Sequence, residues 1–363
     1  MSNVLITCNT YYQLLLAIQM KMTISSSDDI SIIISDQSNN SRFIFERTQK
    51  VNIFDHVYYV NNKEYCMKTY SVKKIVTDII CAVFGKSGMY SCLPEKKVYD
   101  ELIFYNPDIA THILFAKLYN INNKIKISRY EEGILSYNNK FKLHLKFCIF
   151  YFLRKIIGNK NLQATVSSFY CTCPELYCGK VQVKTIPMID TQNDNFKKVV
   201  KIIFGIENKS LAYDEKYVYF SSIFDIEGGE SIGELELILE LANQVGKENL
   251  IVKVHPRDNV ERFVKHGLKV DNNSSIPWEV IQLCGDFNNN VFLSSASGSV
   301  LSINSIIDKP VKTILFYNCI KHTHNKLFVE TKENLEELIS NDLTGKFSYI
   351  TVAKSTYDFY NLI

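Results

Sequence analysis

Residues 4–22 read VLITCNTYYQLLLAIQMKM. The stretch opens on a short apolar run, Val4 to Thr7, and from Tyr11 to Met22 it repeats apolar residues at helical spacing. A brief apolar run that gives way to a 3.6-residue period is a strand feeding a helix. The same unit recurs. Ile30 to Ser35 is a second apolar run, with a helical pattern near Arg42 to Lys50. His56 to Val60 precedes a helical pattern over Val72 to Phe84, and Glu101 to Tyr105 precedes one over Ile109 to Tyr119. Lys124 to Tyr130 is a fifth strand. Strands of this length alternating with helices predict βαβ units and a parallel sheet.

A second series begins at Lys216 to Ser222 and runs through a helix over Glu234 to Val245, a strand Leu250 to His255 and a helix near Val260. A short helix over Pro277 to Cys284, a strand Asn290 to Ser295, a helix Ser299 to Ile307 and a strand Val311 to Tyr317 complete it. Between the series lie a polar stretch, Asp190 to Asn195, and a lysine-rich piece, Lys197 to Lys201. The boundary is therefore set near residue 195, giving domains of 1–195 and 196–363. A chain of 363 residues suits two domains. The expected architecture is α/β, with two Rossmann-like domains facing across a cleft. In doubly wound sheets ligands bind outside the carboxyl ends of the strands, so residues just after strands carry the most weight.

Composition narrows the class. With 41 Lys+Arg against 38 Asp+Glu, the net charge of +3 gives no reason to expect a nucleic-acid partner. The ten cysteines are scattered without a Cys-x-x-Cys pair; Cys171, Cys173 and Cys178 cluster but have no neighbouring His, so structural thiols are expected. The first residues lack the basic and apolar regions of a signal peptide. The longest uncharged apolar stretch, Phe147 to Leu153, falls far short of the ~20 residues that span a bilayer. A reduced, soluble, cytoplasmic protein is expected. Residues 141–157 are apolar with Lys142, Lys146, Arg154 and Lys155 interspersed; they read as a packed helix with a solvated basic side or as a helix for peripheral contact with the inner membrane face.

Three strand ends carry polar residues suited to chemistry. Tyr130-Glu131-Glu132-Gly133 follows the fifth strand. Two adjacent carboxylates at a glycine turn can point apart, one available as a general base; the other reading is a solvated acidic turn. Val254-His255-Pro256-Arg257 ends a strand of the second series. Pro256 stops the strand and holds the imidazole's direction, and a protonated His255 would suit a departing phosphate oxygen; a capping or core histidine is the other reading. Leu293-Ser294-Ser295-Ala296-Ser297-Gly298-Ser299 offers hydroxyls and backbone N–H groups at a strand-to-helix turn, suited to an anion or to simple capping. Gly228 to Gly233 lacks a phosphate-loop pattern, and Ser231 with Glu234 reads as a capping box. His322-Thr-His324 has no evident partner ligand, and no Asp-x-Asp occurs.

In this order the three sites resemble the bacterial sialyltransferases, most closely the lipooligosaccharide and capsule type grouped as glycosyltransferase family 52. Glu131-Glu132-Gly133, His255-Pro256 and Ser294-Ser295 are similar to that family's acidic pair with glycine, His-Pro and Ser/Thr pair. Ile276-Pro277-Trp278-Glu279 resembles a Pro-x-Glu segment, and the opening Thr7 to Leu15 is similar to the start of family members. The resemblance implies a GT-B-like fold, CMP-sialic acid as donor, no cofactor or metal, and inversion at the anomeric carbon. It implies Glu131 as the base for the acceptor hydroxyl, with Glu132 in reserve because both members of the pair are Glu. It also implies His255 at the leaving phosphate, Ser294 and Ser295 holding that phosphate, and Glu279 on the ribose, with Gly133, Pro256 and Pro277 also among the substrate-binding residues. Acceptor contacts are expected from the loop of Asn9 to Gln13, and the acceptor as a terminal galactoside of lipooligosaccharide or capsule; a homodimer is left open. The alternatives are a polysialyltransferase, a GT-B enzyme with another nucleotide sugar, and a non-catalytic two-lobed nucleotide- or sugar-binding protein.

Overall fold

The computed structural model describes residues 1–63, 72–137, 152–209, 211, 213–255, 257–271, 273, 276–320, 324–342, 345 and 347–362. The chain forms two compact units. The first comprises Met1–Glu132, Asn139–Pro187 and Lys198–Gly205, and the second Gly133–Asn138, Met188–Lys197 and Ile206–Ile363. The sequence boundary at 195 falls where the chain alternates between them.

The first unit holds β1 (Asn3–Cys8), β2 (Asp29–Ser35), β3 (His56–Val60), β4 (Glu101–Phe104), β5 (Lys126–Tyr130), β6 (Val166–Cys171) and β7 (Gln182–Thr185). They form one parallel sheet in the order β3-β2-β1-β4-β5-β6-β7. Central strands covered on both faces read as continuous apolar runs, which is why the Val4 and Ile30 stretches were legible. Leu5, Leu102, Phe104 and Ile127 pack with Ile113, Leu114 and Phe115 of the helix Ile109–Ile121. The helix Tyr11–Met22 is capped by Thr10, whose hydroxyl accepts from the Gln13 N–H, and is buried from Tyr12 to Met20.

The second unit holds β8 (Tyr217–Phe220), β9 (Leu250–Lys253), β10 (Lys269–Val270), β11 (Val291–Ser294), β12 (Thr313–Leu315) and β13 (Ile350–Val352). This sheet is also parallel, in the order β10-β9-β8-β11-β12-β13. Its core is built by Tyr219, Val252, Leu293 and Ile314 against Ile238 and Leu241 of the helix Glu234–Val245. In each unit the winding reverses direction once, between β1 and β4 and between β8 and β11. These reversals are the places where such sheets open a crevice for ligands.

Some expectations shift. The lysine-rich piece beside the boundary lies in the helix Asp194–Phe204, with Phe196, Val200 and Ile203 buried. Strands β6 and β7 extend the first sheet beyond the five strands expected. Of the basic stretch 141–157, residues 141–151 lie outside the described residues, as do Pro256 and His322. Arg154 is fully buried rather than on a solvated side; its Nε donates to the Lys160 carbonyl at 2.7 Å and its Nη1 to the Val83 carbonyl at 2.8 Å. All described cysteines are free thiols. Among the described residues no helix is long and apolar enough to cross a membrane.

Candidate active site

The acidic pair sits at the carboxyl end of β5. The Glu131 N–H donates to the Tyr170 carbonyl at 3.0 Å, so this residue is a last rung against β6. Gly133 then takes φ 74°, a left-handed conformation that turns the chain and favours glycine. The two side chains part, and only Glu132 keeps partial exposure. Glu131 is fully buried. Its Oε1 accepts from the Tyr12 hydroxyl at 2.9 Å and from the Thr172 hydroxyl at 2.9 Å, and its Oε2 from the Thr172 N–H at 3.2 Å. Tyr12 stands in the first helical turn after β1 and Thr172 directly after β6, so three strand ends meet at this carboxyl. Glu132 lies toward Tyr105; burial and the Glu132 charge push that phenol's pKa up.

Asn9 and Gln13, expected at the acceptor, serve the loop. Gln13 is buried, and its side-chain carbonyl accepts from the Asn9 N–H at 2.7 Å. Gln13 thus shapes the turn after β1, while Asn9 stays half-buried at its tip.

In the second unit, the expected residues gather on one carboxyl edge. The His255 N–H donates to the Ser221 hydroxyl at 2.9 Å, and the Ser221 N–H to the Lys253 carbonyl at 3.1 Å, tying the ends of β8 and β9. The Arg257 N–H donates to His255 Nδ1 at 3.2 Å. A ring nitrogen that accepts carries no proton, which assigns the neutral ring's proton to Nε2. Burial, and then the Arg257 charge, push the imidazole pKa down to about 4. In the free protein His255 is therefore neutral near pH 7, and Nε2–H is the donor it offers.

The serine pair is also placed differently from expectation. The Ser294 hydroxyl donates to the Phe220 carbonyl at 2.9 Å and accepts from the Ser297 N–H at 2.9 Å. The Ser295 hydroxyl donates to Glu234 Oε1 at 2.5 Å. Each serine hydroxyl has one proton, and both protons already face protein acceptors. What the turn presents to an anion is backbone at the start of the helix Ser299–Ile306, with the positive end of its dipole.

Glu234 escaped the sequence reading because Ser231 with Glu234 matched a capping box. The cap is instead Asp225, whose Oδ1 accepts from the Ser231 hydroxyl at 2.8 Å, the Ile232 N–H at 2.9 Å and the Gly233 N–H at 3.1 Å. Glu234 turns inward and is fully buried. It accepts from the Ser222 N–H at 3.0 Å, the Ser222 hydroxyl at 2.9 Å, the Tyr219 hydroxyl at 3.2 Å and the Ser295 hydroxyl. It thus pins the ends of β8 and β11 at the winding reversal, and burial pushes its carboxyl up. Glu234→Gln places an amide N–H₂ among these donors, which costs ~1–3 kcal/mol for a buried group left unmatched. A lower melting temperature is expected in thermal unfolding. An unchanged value would contradict the pinning role.

Glu279 occupies the first turn of the helix Trp278–Cys284, with Pro277 as its cap. Trp278 packs edge-on against Phe220 with ring centroids 4.4 Å apart, which seats this helix start at the end of β8. Burial raises the half-buried Glu279 carboxyl, and Lys253 at the end of β9 opposes that rise. Lys253 also pairs with Asp271 at 2.7 Å. Among the described residues, no three His, Cys, Asp or Glu side chains group as a metal site.

The family model for alpha-2,8-polysialyltransferases matches residues 4–283. The chain belongs to the alpha-2,8-polysialyltransferase family. The matched span includes Glu131, Glu132, His255 and Glu279 and ends before Ser294. No curated protein matches in sequence. In structure, this member of the family is similar to an alpha/beta-galactoside alpha-2,3-sialyltransferase from Photobacterium phosphoreum, with a TM-score of 0.50, 11% identity, and 96% of this chain and 97% of the other covered. It is also similar to a UDP-GlcNAc 2-epimerase from Neisseria meningitidis, with a TM-score of 0.48, 13% identity, and 99% and 97% covered. The fold expectation of two parallel-sheet α/β units of the GT-B class holds, and the chain is a glycosyltransferase of the sialyltransferase kind.

Proposed function

We propose that the protein transfers sialic acid from CMP-sialic acid to a glycan acceptor, with inversion at the anomeric carbon. The family match over residues 4–283 carries this reading. The acceptor hydroxyl attacks the anomeric carbon while the bond from that carbon to the CMP phosphate breaks. The electron pair leaves with the phosphate oxygen, and the hydroxyl proton passes to Glu131. Because Glu131 is fully buried and the Tyr12 and Thr172 hydroxyls already donate to its Oε1, the proton reaches it by relay: one of these hydroxyls gives its proton to the carboxylate and takes the acceptor's in exchange. Glu132, the more exposed member of the pair, is the competing base.

His255 Nε2–H donates to the leaving phosphate, and the turn after β11 holds it. The leaving group is a monophosphate, so less charge develops on it than on a diphosphate. One imidazole N–H and a helix N-terminus then serve where a diphosphate calls for a cation. Glu279 receives the ribose hydroxyls.

Two acceptors compete. The family description favours the non-reducing sialic acid of a growing chain, joined by an alpha-2,8 linkage. A terminal galactoside of lipooligosaccharide or capsule is the other reading. The test is CMP release from CMP-sialic acid with a galactoside and with a sialylated galactoside, each with and without chelator. Release with at least one acceptor, changed less than about twofold by chelator, is expected. Activity lost to chelator and restored by magnesium would overturn the metal-free mechanism, and no release with any acceptor would overturn the reading.

A further inference from the structure

The helix Val72–Phe84 is apolar on two sides. Asp78, Ala82 and Val83 face the first unit and are buried. Val76, Ile80 and Phe84, at four-residue spacing, form a stripe beside that buried side and are 50%, 50% and 48% exposed. An amphipathic helix normally keeps such side chains inside, so this exposed stripe is an apolar patch on the surface. A second apolar segment stands beside it. Residues 152–156 are helical, and the buried Arg154 reaches across to the Val83 carbonyl at 2.8 Å. With Arg154 facing in, Phe152 and Ile156, two residues to either side, face out at 63% and 64% exposure.

The charges around these side chains have one sign. Lys73, Lys86, Lys155 and Lys160 are exposed. Asp78 is the one acidic residue within 72–90 and is buried, and 152–163 contains none. Outward Phe and Ile rimmed by Lys match a surface that is apolar beneath and negative above. A second copy of this chain suits it poorly, because a two-fold interface would set the same lysines against themselves.

We propose that the outer face of the helix Val72–Phe84, with Phe152 and Ile156, docks on an anionic lipid bilayer. The apolar side chains enter the boundary between headgroups and acyl chains while the lysines meet the lipid phosphates. Docking of this kind needs no sialyl transfer, and its test contains no nucleotide sugar.

The test is co-sedimentation of the full chain with vesicles of phosphatidylglycerol and phosphatidylcholine, and with phosphatidylcholine alone. Binding to the anionic vesicles, weakened by salt and at least ~10-fold weaker on pure phosphatidylcholine, is expected. I80E with I156E should lower anionic binding at least ~10-fold, and Lys73→Glu with Lys155→Glu should do the same while leaving the apolar stripe intact. Thermal unfolding identifies any variant that has lost its fold. No binding to anionic vesicles, or binding that neither folded pair weakens, overturns the proposal. A dimer in light scattering that I80E dissolves also overturns it, since a second copy then covers the face.

Discussion

Replacing Glu131 with Gln lowers turnover at least ~10²-fold while the affinity for CMP-sialic acid is nearly kept. An acceptor hydroxyl is barely acidic, and a positioned base is typically worth ~10²–10⁴-fold. Glutamine keeps the shape and removes the basicity. It also sets an amide N–H₂ toward the Tyr12 and Thr172 donors, so the melting temperature falls as well. Turnover is therefore read on protein shown to be folded, beside donor affinity from calorimetry. Glu132→Gln, on a half-buried side chain, should leave the melting temperature and most of the turnover in place. If Glu131→Gln stays active and Glu132→Gln is dead, the base is Glu132, and Glu131 only joins the ends of β1, β5 and β6.

His255→Ala should lower kcat/KM by ~10²–10³-fold, the usual cost of losing one donor to a developing negative charge. The ionisation of this residue gives the prediction a sign. Burial holds its folded pKa at about 4, below the ordinary value of 6.5. Between those values the unfolded chain binds the proton and the folded chain does not. Its contribution to stability is therefore complete above pH 6.5 and is lost as the pH falls toward 4. From pH 6 to 8 the free protein carries a neutral His255, so kcat/KM should show no inflection near 6.5 that belongs to this residue. An inflection there that disappears in His255→Ala would mean that the free protein uses the imidazolium. Normal kinetics for His255→Ala would remove its role at the phosphate.

The strands that built the sites were legible because they are buried on both faces. Val4 to Cys8, Ile30 to Ser35 and Leu250 to Lys253 are near-continuous apolar runs, and their ends mark Asn9 and His255. The edge strand β7, Gln182–Thr185, is partly solvated on both faces and spells QVKT, which carries no such signal. Lys197 to Lys201 reads as a polar boundary when its lysines are counted, and as a helix once Phe196, Val200 and Ile203 are seen at helical spacing. The networks were the hidden part. Tyr12 lies 119 residues from Glu131, and Ser295 lies 61 from Glu234, so no local pattern relates them. Likewise, residue type alone marked Ser294 and Ser295 as hydroxyl donors to a ligand; the structure spends those donors on Phe220 and Glu234.

The most direct test offers the protein CMP-sialic acid beside uridine-linked sugars, with galactoside and sialylated acceptors present, and follows nucleotide release and product anomer together. CMP alone should be released, sialic acid should reach the acceptor with inverted configuration, and both signals should fall at least ~10²-fold in Glu131→Gln. Uridine nucleotide release while CMP-sialic acid stays intact, or sialic acid transferred with its configuration retained, would contradict this mechanism.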